Sequence, residues 1–384
     1  MKINQWTLGL AAVGLVSLSP ALLAQTAPQS TPLLTALSAT TISGYVDTSA
    51  VWNPGTGTAN VAPYSFNAGK QNGFNLDQVV LDLSKPIEEG KWSAGYNFEL
   101  SYGPDATAID AGAYPIRQAY VDLGIPVGNG LELKLGRFDQ LLGYETSDSV
   151  NNPNWTRSYG YSLEPTEQTG LLANYKFADW VSLQGGVVDE VSTIGGVNAR
   201  YESRRGVTGL LTLTAPDSWG WVKGSALYGG IDYGPGAASD MTEWYLGLTL
   251  NTPITGLTLG GSWDNISDAD VGGIDGGSFD AFAGYVSYKI TDKATVNGRV
   301  EYANGSALSL LESEVNGVPF GTLDKVLAVT GTFQYDLWAN VVSRLEVRWD
   351  HNAGGIGPAF GGEVPGVATK NNEVLIAANV IYKF

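Results

Sequence analysis

Hydrophobic and polar residues alternate along most of this chain with a period of two, the spacing of a strand whose two faces meet different surroundings. The clearest stretch is Lys91 to Tyr102. Trp92, Ala94, Tyr96, Phe98, Leu100 and Tyr102 fall on one side, and Ser93, Gly95, Asn97, Glu99 and Ser101 on the other. Six successive apolar or aromatic positions exceed what a half-buried strand of a soluble sheet needs, and they match a tilted strand that crosses a bilayer. Asn372 to Phe384 repeats the pattern and ends on Tyr382 and Phe384, as aromatic side chains do at a membrane interface.

Sixteen segments of this kind are predicted: 41–52, 74–84, 91–102, 115–124, 131–138, 169–177, 180–188, 206–214, 219–229, 241–251, 256–264, 279–290, 293–303, 323–335, 339–351 and 372–384. With no helical periodicity and no internal boundary, the expected fold is all-β: one transmembrane antiparallel up-and-down barrel over 41–384, of about 16 strands. Links after odd segments are long, among them 53–73, 139–168, 230–240, 265–278 and 352–371. Links after even segments are short and rich in turn formers, as in Ala178-Asp179, Ala215-Pro216-Asp217-Ser218 and Thr252-Pro253. On these boundaries long and short alternate without exception. A soluble sandwich gives no reason for that, whereas an outer-membrane barrel does. Tyr175, Phe177, Trp180, Trp219, Trp221, Phe333, Tyr335 and Trp338 cluster beside the short turns, as an aromatic girdle would.

Composition narrows the function. The 384 residues include no Cys and a single His, which removes disulfide frameworks, thiolate metal sites and most imidazole sites. No cofactor or resident metal is expected. The net charge of −17 argues against nucleic acid as a partner. Residues 1–24 read as a secretory signal, with Lys2, an apolar stretch from Thr7 to Leu18, Pro20, and Ala24 at the cut. Residues 25–40 read as a flexible periplasmic lead.

The predicted inner faces are polar and carry both signs. On segment 339–351, Arg344, Glu346, Arg348 and Asp350 share one face while Val341, Leu345, Val347 and Trp349 share the other. Four charges on one face do not pack as an apolar core, but they line water. Glu99, Lys134, Arg299 and Glu301 continue that lining, with Glu132, Asp122, Lys223, Glu243, Asp264 and Lys289. The longest link, 139–168, holds Glu145, Asp148, Arg157, Glu164 and Glu167 beside Trp155, Tyr159 and Tyr161, more aromatic than a solvated loop requires. An inward fold that narrows the lumen is the expectation for it, with acidic side chains facing Arg157 and the basic wall. Enzymatic signals are poor. No Gly-x-Ser-x-Gly occurs, Asp350 and His351 are adjacent on a strand and so face opposite ways, and Asp268-Ala269-Asp270-Val271-Gly272 carries only part of a calcium-loop pattern.

Leu133-Lys134-Leu135-Gly136-Arg137-Phe138-Asp139-Gln140-Leu141-Leu142-Gly143-Tyr144-Glu145, then Arg157-Ser158-Tyr159 and Glu164-Pro165-Thr166-Glu167-Gln168-Thr169-Gly170, resemble the outer-membrane β-barrel porins of the OmpL-like, beta-barrel porin-2 type. The resemblance extends from about Thr41 to Phe384. Relatives often carry His where Gln168 stands here. The resemblance implies an outer-membrane porin, with membrane lipid around it and passive diffusion of ions and small hydrophilic solutes through it. It names no solute. An acidic vestibule predicts a preference for cations. A homotrimer is compatible with this reading, and a plugged barrel serving as adhesin or anchor through its external loops is the alternative.

Overall fold

In the computed structural model, sixteen strands run β1 Thr41–Trp52, β2 Gly73–Lys85, β3 Ser93–Tyr102, β4 Ile116–Ile125, β5 Leu131–Asp139, β6 Glu167–Ala178, β7 Val181–Val188 and β8 Gly206–Thr214, then β9 Ala226–Pro235, β10 Asp240–Asn251, β11 Leu257–Val271, β12 Ile274–Lys289, β13 Ala294–Asn304, β14 Lys325–Trp338, β15 Val341–Asn352 and β16 Asn372–Lys383. The structure describes residues 39–384 apart from 57–58, 65–69, 71, 107–114, 192–203, 237–239, 272–273 and 317–320. The expected signal, and all but the last two residues of the expected lead, lie outside the described residues.

Every strand pairs antiparallel with its sequence neighbours, and β1 pairs with β16 to close the barrel. Closure leaves no edge strand, so the backbone satisfies its own hydrogen bonds without water, which a bilayer demands. The seam is completed by the last residue. Gly44 donates to the Phe384 carbonyl at 3.1 Å and accepts from the Phe384 N–H at 3.0 Å, and the Phe384 ring lies where a Cβ on residue 44 would stand. The outer wall carries exposed Leu and Val between two aromatic belts. Trp92, Trp180, Trp219, Trp338 and Phe384 mark the short-turn end, and Trp52, Phe74, Tyr102 and Trp244 the other.

Three expectations are corrected. The segment predicted at 219–229 begins at Ala226, because 217–222 folds as a 3-10 turn with Trp219 and Trp221 exposed on it. Lys223 therefore belongs to a turn and not to the lumen wall. The region predicted as a loop at 265–278 is mostly strand, since β11 and β12 extend as a long hairpin joined only by 272–273. Long and short links consequently do not alternate without exception: 215–225 is long at the short-turn end, and 236–239 and 272–273 are brief at the other.

Bulges also change which residues face inward. Asp47 pairs with Gln78 and Thr48 with Leu76, so Asp77 is the extra residue. Glu99 pairs with Gln118 and Leu100 with Ile116, so Arg117 is extra. Asp77 and Arg117 are both fully buried in the interior. An inserted residue breaks the period of two locally and re-aims a side chain.

Candidate pore constriction

Residues 140–166 leave β5, fold into the barrel and return to β6, carrying a 3-10 turn at Ser149–Asn151 and a short helix α1 at Tyr159–Leu163. Ser158 caps α1, its hydroxyl accepting from the Tyr161 N–H at 3.2 Å. The wall of β13 to β15 holds this loop by its backbone. Glu346 accepts from the N–H groups of Trp155 at 2.6 Å and Thr156 at 3.0 Å, and from the hydroxyls of Thr156 at 2.6 Å and Thr332 at 2.7 Å. Arg299 donates to Glu145 at 2.7 Å, Glu301 at 2.6 Å and the Thr156 carbonyl at 2.7 Å. Arg344 donates to the carbonyls of Ser149 and Asn152, both at 2.9 Å. Arg348 donates to the Arg157 carbonyl at 2.6 Å, chelates Asp350 at 2.9 to 3.1 Å, and stacks on the Tyr64 ring. Glu301 accepts from the Tyr159 N–H at 2.8 Å.

Among the residues expected at the constriction, Glu145, Arg299, Glu301, Arg344, Glu346 and Arg348 therefore meet in one buried network. Arg157 is placed differently from the expectation. It donates to the carbonyls of Thr146, Trp155 and Ser147 within its own loop, and so sets the loop's shape. Asp148 and Glu99 converge on Arg117, which also reaches Asp139 at 2.7 Å. Glu167 pairs with Arg137 at 3.4 Å. Lys134 stands apart toward the short-turn end, over the Tyr120 ring and opposite Asp122 in register. Glu164 lies against the opposite wall, beside Glu243 and Asp264.

Alternation of polarity does not reveal Asp77 and Arg117, which the bulges turn inward. Asp232 escapes sequence reasoning because the predicted strand stops at 229. The observed β9 carries Asp232 onto the wall directly opposite Glu243, where it accepts from Gln168 at 2.9 Å.

The loop reaches right across the lumen. From Asp47 on β1, Gln78 on β2 and Glu99 on β3 round to Arg348 on β15 and Asn379 on β16, every strand contributes a buried inward side chain. Below the loop, toward the short turns, remains a cavity of about 610 Å³ lined by Tyr144, Asn152, Pro153, Tyr228, Asn297 and Gln334, among others. Among the described residues the buried charges are fifteen carboxylates and seven bases. Burial, reinforced by Asp264 and Glu243, holds the Glu164 carboxyl well above the usual carboxylate range.

Toward the long-loop end, Lys70 bridges Asp77, at 3.1 Å, and Asp105, and its ammonium lies over the Trp155 ring. Burial pushes the Asp105 carboxyl up to about 7, against the pull of Lys70. A folded-state value above the unfolded one, roughly 3.9, means the native protein holds a proton that the unfolded chain has lost. Asp105 thus subtracts no stability below about pH 4 and subtracts progressively more up to about pH 7, on the order of 2–4 kcal/mol in full. The urea midpoint in detergent should fall from pH 4 to pH 8, and Asp105→Asn should flatten that fall. An equal slope in the variant would contradict the assignment.

A closed antiparallel barrel, belted by aromatics and threaded by an inward loop, defines an outer-membrane diffusion channel. The chain matches the family described as "Putative beta-barrel porin-2, OmpL-like" over residues 39–384. It belongs to that family, and it is an outer-membrane porin for the passive diffusion of solutes. No curated protein matches it in sequence. Among solved structures, Pseudomonas putida OprB is similar with a TM-score of 0.60 at 12% identity, over 92% of this chain and 96% of that one. An anion-selective porin from Comamonas acidovorans follows at 0.58 and 13%, over 90% and 99%. The trimer form of in-vitro-folded OmpT from Vibrio cholerae gives 0.54 and 13%, over 90% and 99%.

Proposed function

We propose that loop 140–166 is the element that controls passage through this porin, and that ions and small hydrophilic solutes cross only as far as it yields. The observation that carries this reading is the ring of buried inward side chains, to which all sixteen strands contribute and across which the loop lies. The acidic excess of that ring supports a preference for cations, because the field of a narrow, low-dielectric passage concentrates counter-ions. Refolded protein in a planar bilayer should give small conductance steps with a cation-selective reversal potential under a salt gradient. An anion-selective potential would overturn the charge argument.

The same sealing favours a second reading, a permanently plugged barrel that works through its external loops. Absence of steps from the inserted parent barrel, with steps appearing only once the loop is shortened, would decide for it. We read the protein as non-enzymatic. Asp350 points inward onto Arg348, whereas the His351 ring stacks on outward-facing Trp349 and bonds Asn372 at 2.9 Å, so the two form no dyad. A homotrimer belongs to this proposal, in keeping with the trimeric OmpT form.

A further inference from the structure

The acidic excess of the interior is concentrated where β9, β10 and β11 meet the end of the loop. Glu164, Glu243 and Asp264 are buried, and each places one carboxylate oxygen within 4.8 Å of the others. None of the three forms an ion pair among the described residues. Glu243 is fully buried, and neither of its oxygens has a hydrogen-bond partner. Asp232, fully buried and directly opposite Glu243 in register, also has an unpartnered carboxylate oxygen. Gln140 donates to Glu164 at 3.0 Å and leaves its own buried amide oxygen unpartnered beside it.

The backbone makes room for this arrangement. A Cβ on Gly143 would stand within 2.3 Å of a Glu164 oxygen, and one on Gly160 within 2.5 Å of an Asp264 oxygen. Buried carboxylates without a base need a proton or a metal ion.

We infer that Glu164, Glu243 and Asp264 form a binding site for a hard divalent cation of the calcium class, which ties the inserted loop to the barrel wall. Three carboxylates favour a divalent over a monovalent ion. Oxygen-only donors favour calcium over the metals that seek nitrogen or sulfur. Calcium accepts oxygen ligands in a flexible geometry, which suits carboxylates brought together from a loop and two strands better than the near-ideal octahedron that magnesium demands. Asp232 adds negative charge on the neighbouring strand. The inference goes beyond the conduction reading and does not depend on it, since a barrel that never conducts would bind the ion equally well.

The test is calcium chloride titrated by calorimetry into chelator-treated, refolded barrel at neutral pH. One saturable equivalent is expected, weakened at least tenfold by Glu243→Gln and by Asp264→Asn, and unchanged by Asp217→Asn on the exposed turn. No saturable uptake by the wild-type barrel would overturn the site and leave a shared proton between Glu164 and Asp264 as the arrangement. Binding unmoved by either core substitution would overturn it too. Should neither variant fold, a wild-type crystal soaked in terbium chloride decides: an anomalous peak between the three carboxylates supports the site, and its absence there overturns it.

Discussion

Replacing residues 146–162 by a short Gly-Ser link should raise single-channel conductance severalfold and remove most of the flicker of the parent channel. The loop is the only described segment that brings its own backbone into contact with Glu346, Arg299, Arg344 and Arg348 together. Its removal exchanges those contacts for water. Charged wall residues tolerate the exchange, because each loses partners but regains hydration rather than being left buried and alone. The sixteen-strand ladder does not run through the loop, so the shortened barrel should still fold and keep its heat-modifiable mobility on gels. A folded, inserted variant with parental conductance would mean that the constriction lies elsewhere.

Arg299→Met should be the most damaging single substitution in the lumen. The guanidinium is fully buried and binds Glu145, Glu301 and the backbone of Thr156 and Arg157. Met fills much of the volume but leaves two carboxylates facing each other without their shared base. Breaking a buried pair by removing one partner costs about 3–5 kcal/mol. That cost falls on the contact between loop and wall, so the loop should detach before the barrel unfolds. Proteolysis within 140–166 should accelerate at least tenfold, and conductance should rise toward that of the shortened variant. The double substitution Arg299→Met with Glu145→Gln should recover part of the loss, since it also removes one of the stranded charges. Equal protease resistance in Arg299→Met and parent would refute the assigned role of the pair.

Strands of alternating polarity are legible in the sequence because a membrane barrel imposes its two solvents at every second residue. Segment 339–351 is the best case, its Arg344, Glu346, Arg348 and Asp350 all lying inward as the period of two requires. Legibility failed where that period is interrupted. The bulges at Asp77 and Arg117 insert a residue and reverse the parity, and the 3-10 turn at 217–222 imitates a strand through its exposed Trp219 and Trp221. The resulting shift of β9 hid Asp232 from the wall.

The sequence by itself determined the barrel, its number of strands, the faces that meet lipid and lumen, and the family, because each of these follows from local periodicity and short motifs. Only the tertiary structure decided how the loop lies, which charges it joins and that it spans the lumen. Glu145 meets Arg299 across 154 positions of sequence, and Trp155 meets Glu346 across 191. No spacing along the chain encodes such contacts. They arise from closing the sheet, which brings strands remote in sequence around one enclosed volume, and from the cost of leaving a buried charge without a partner, a proton or an ion there.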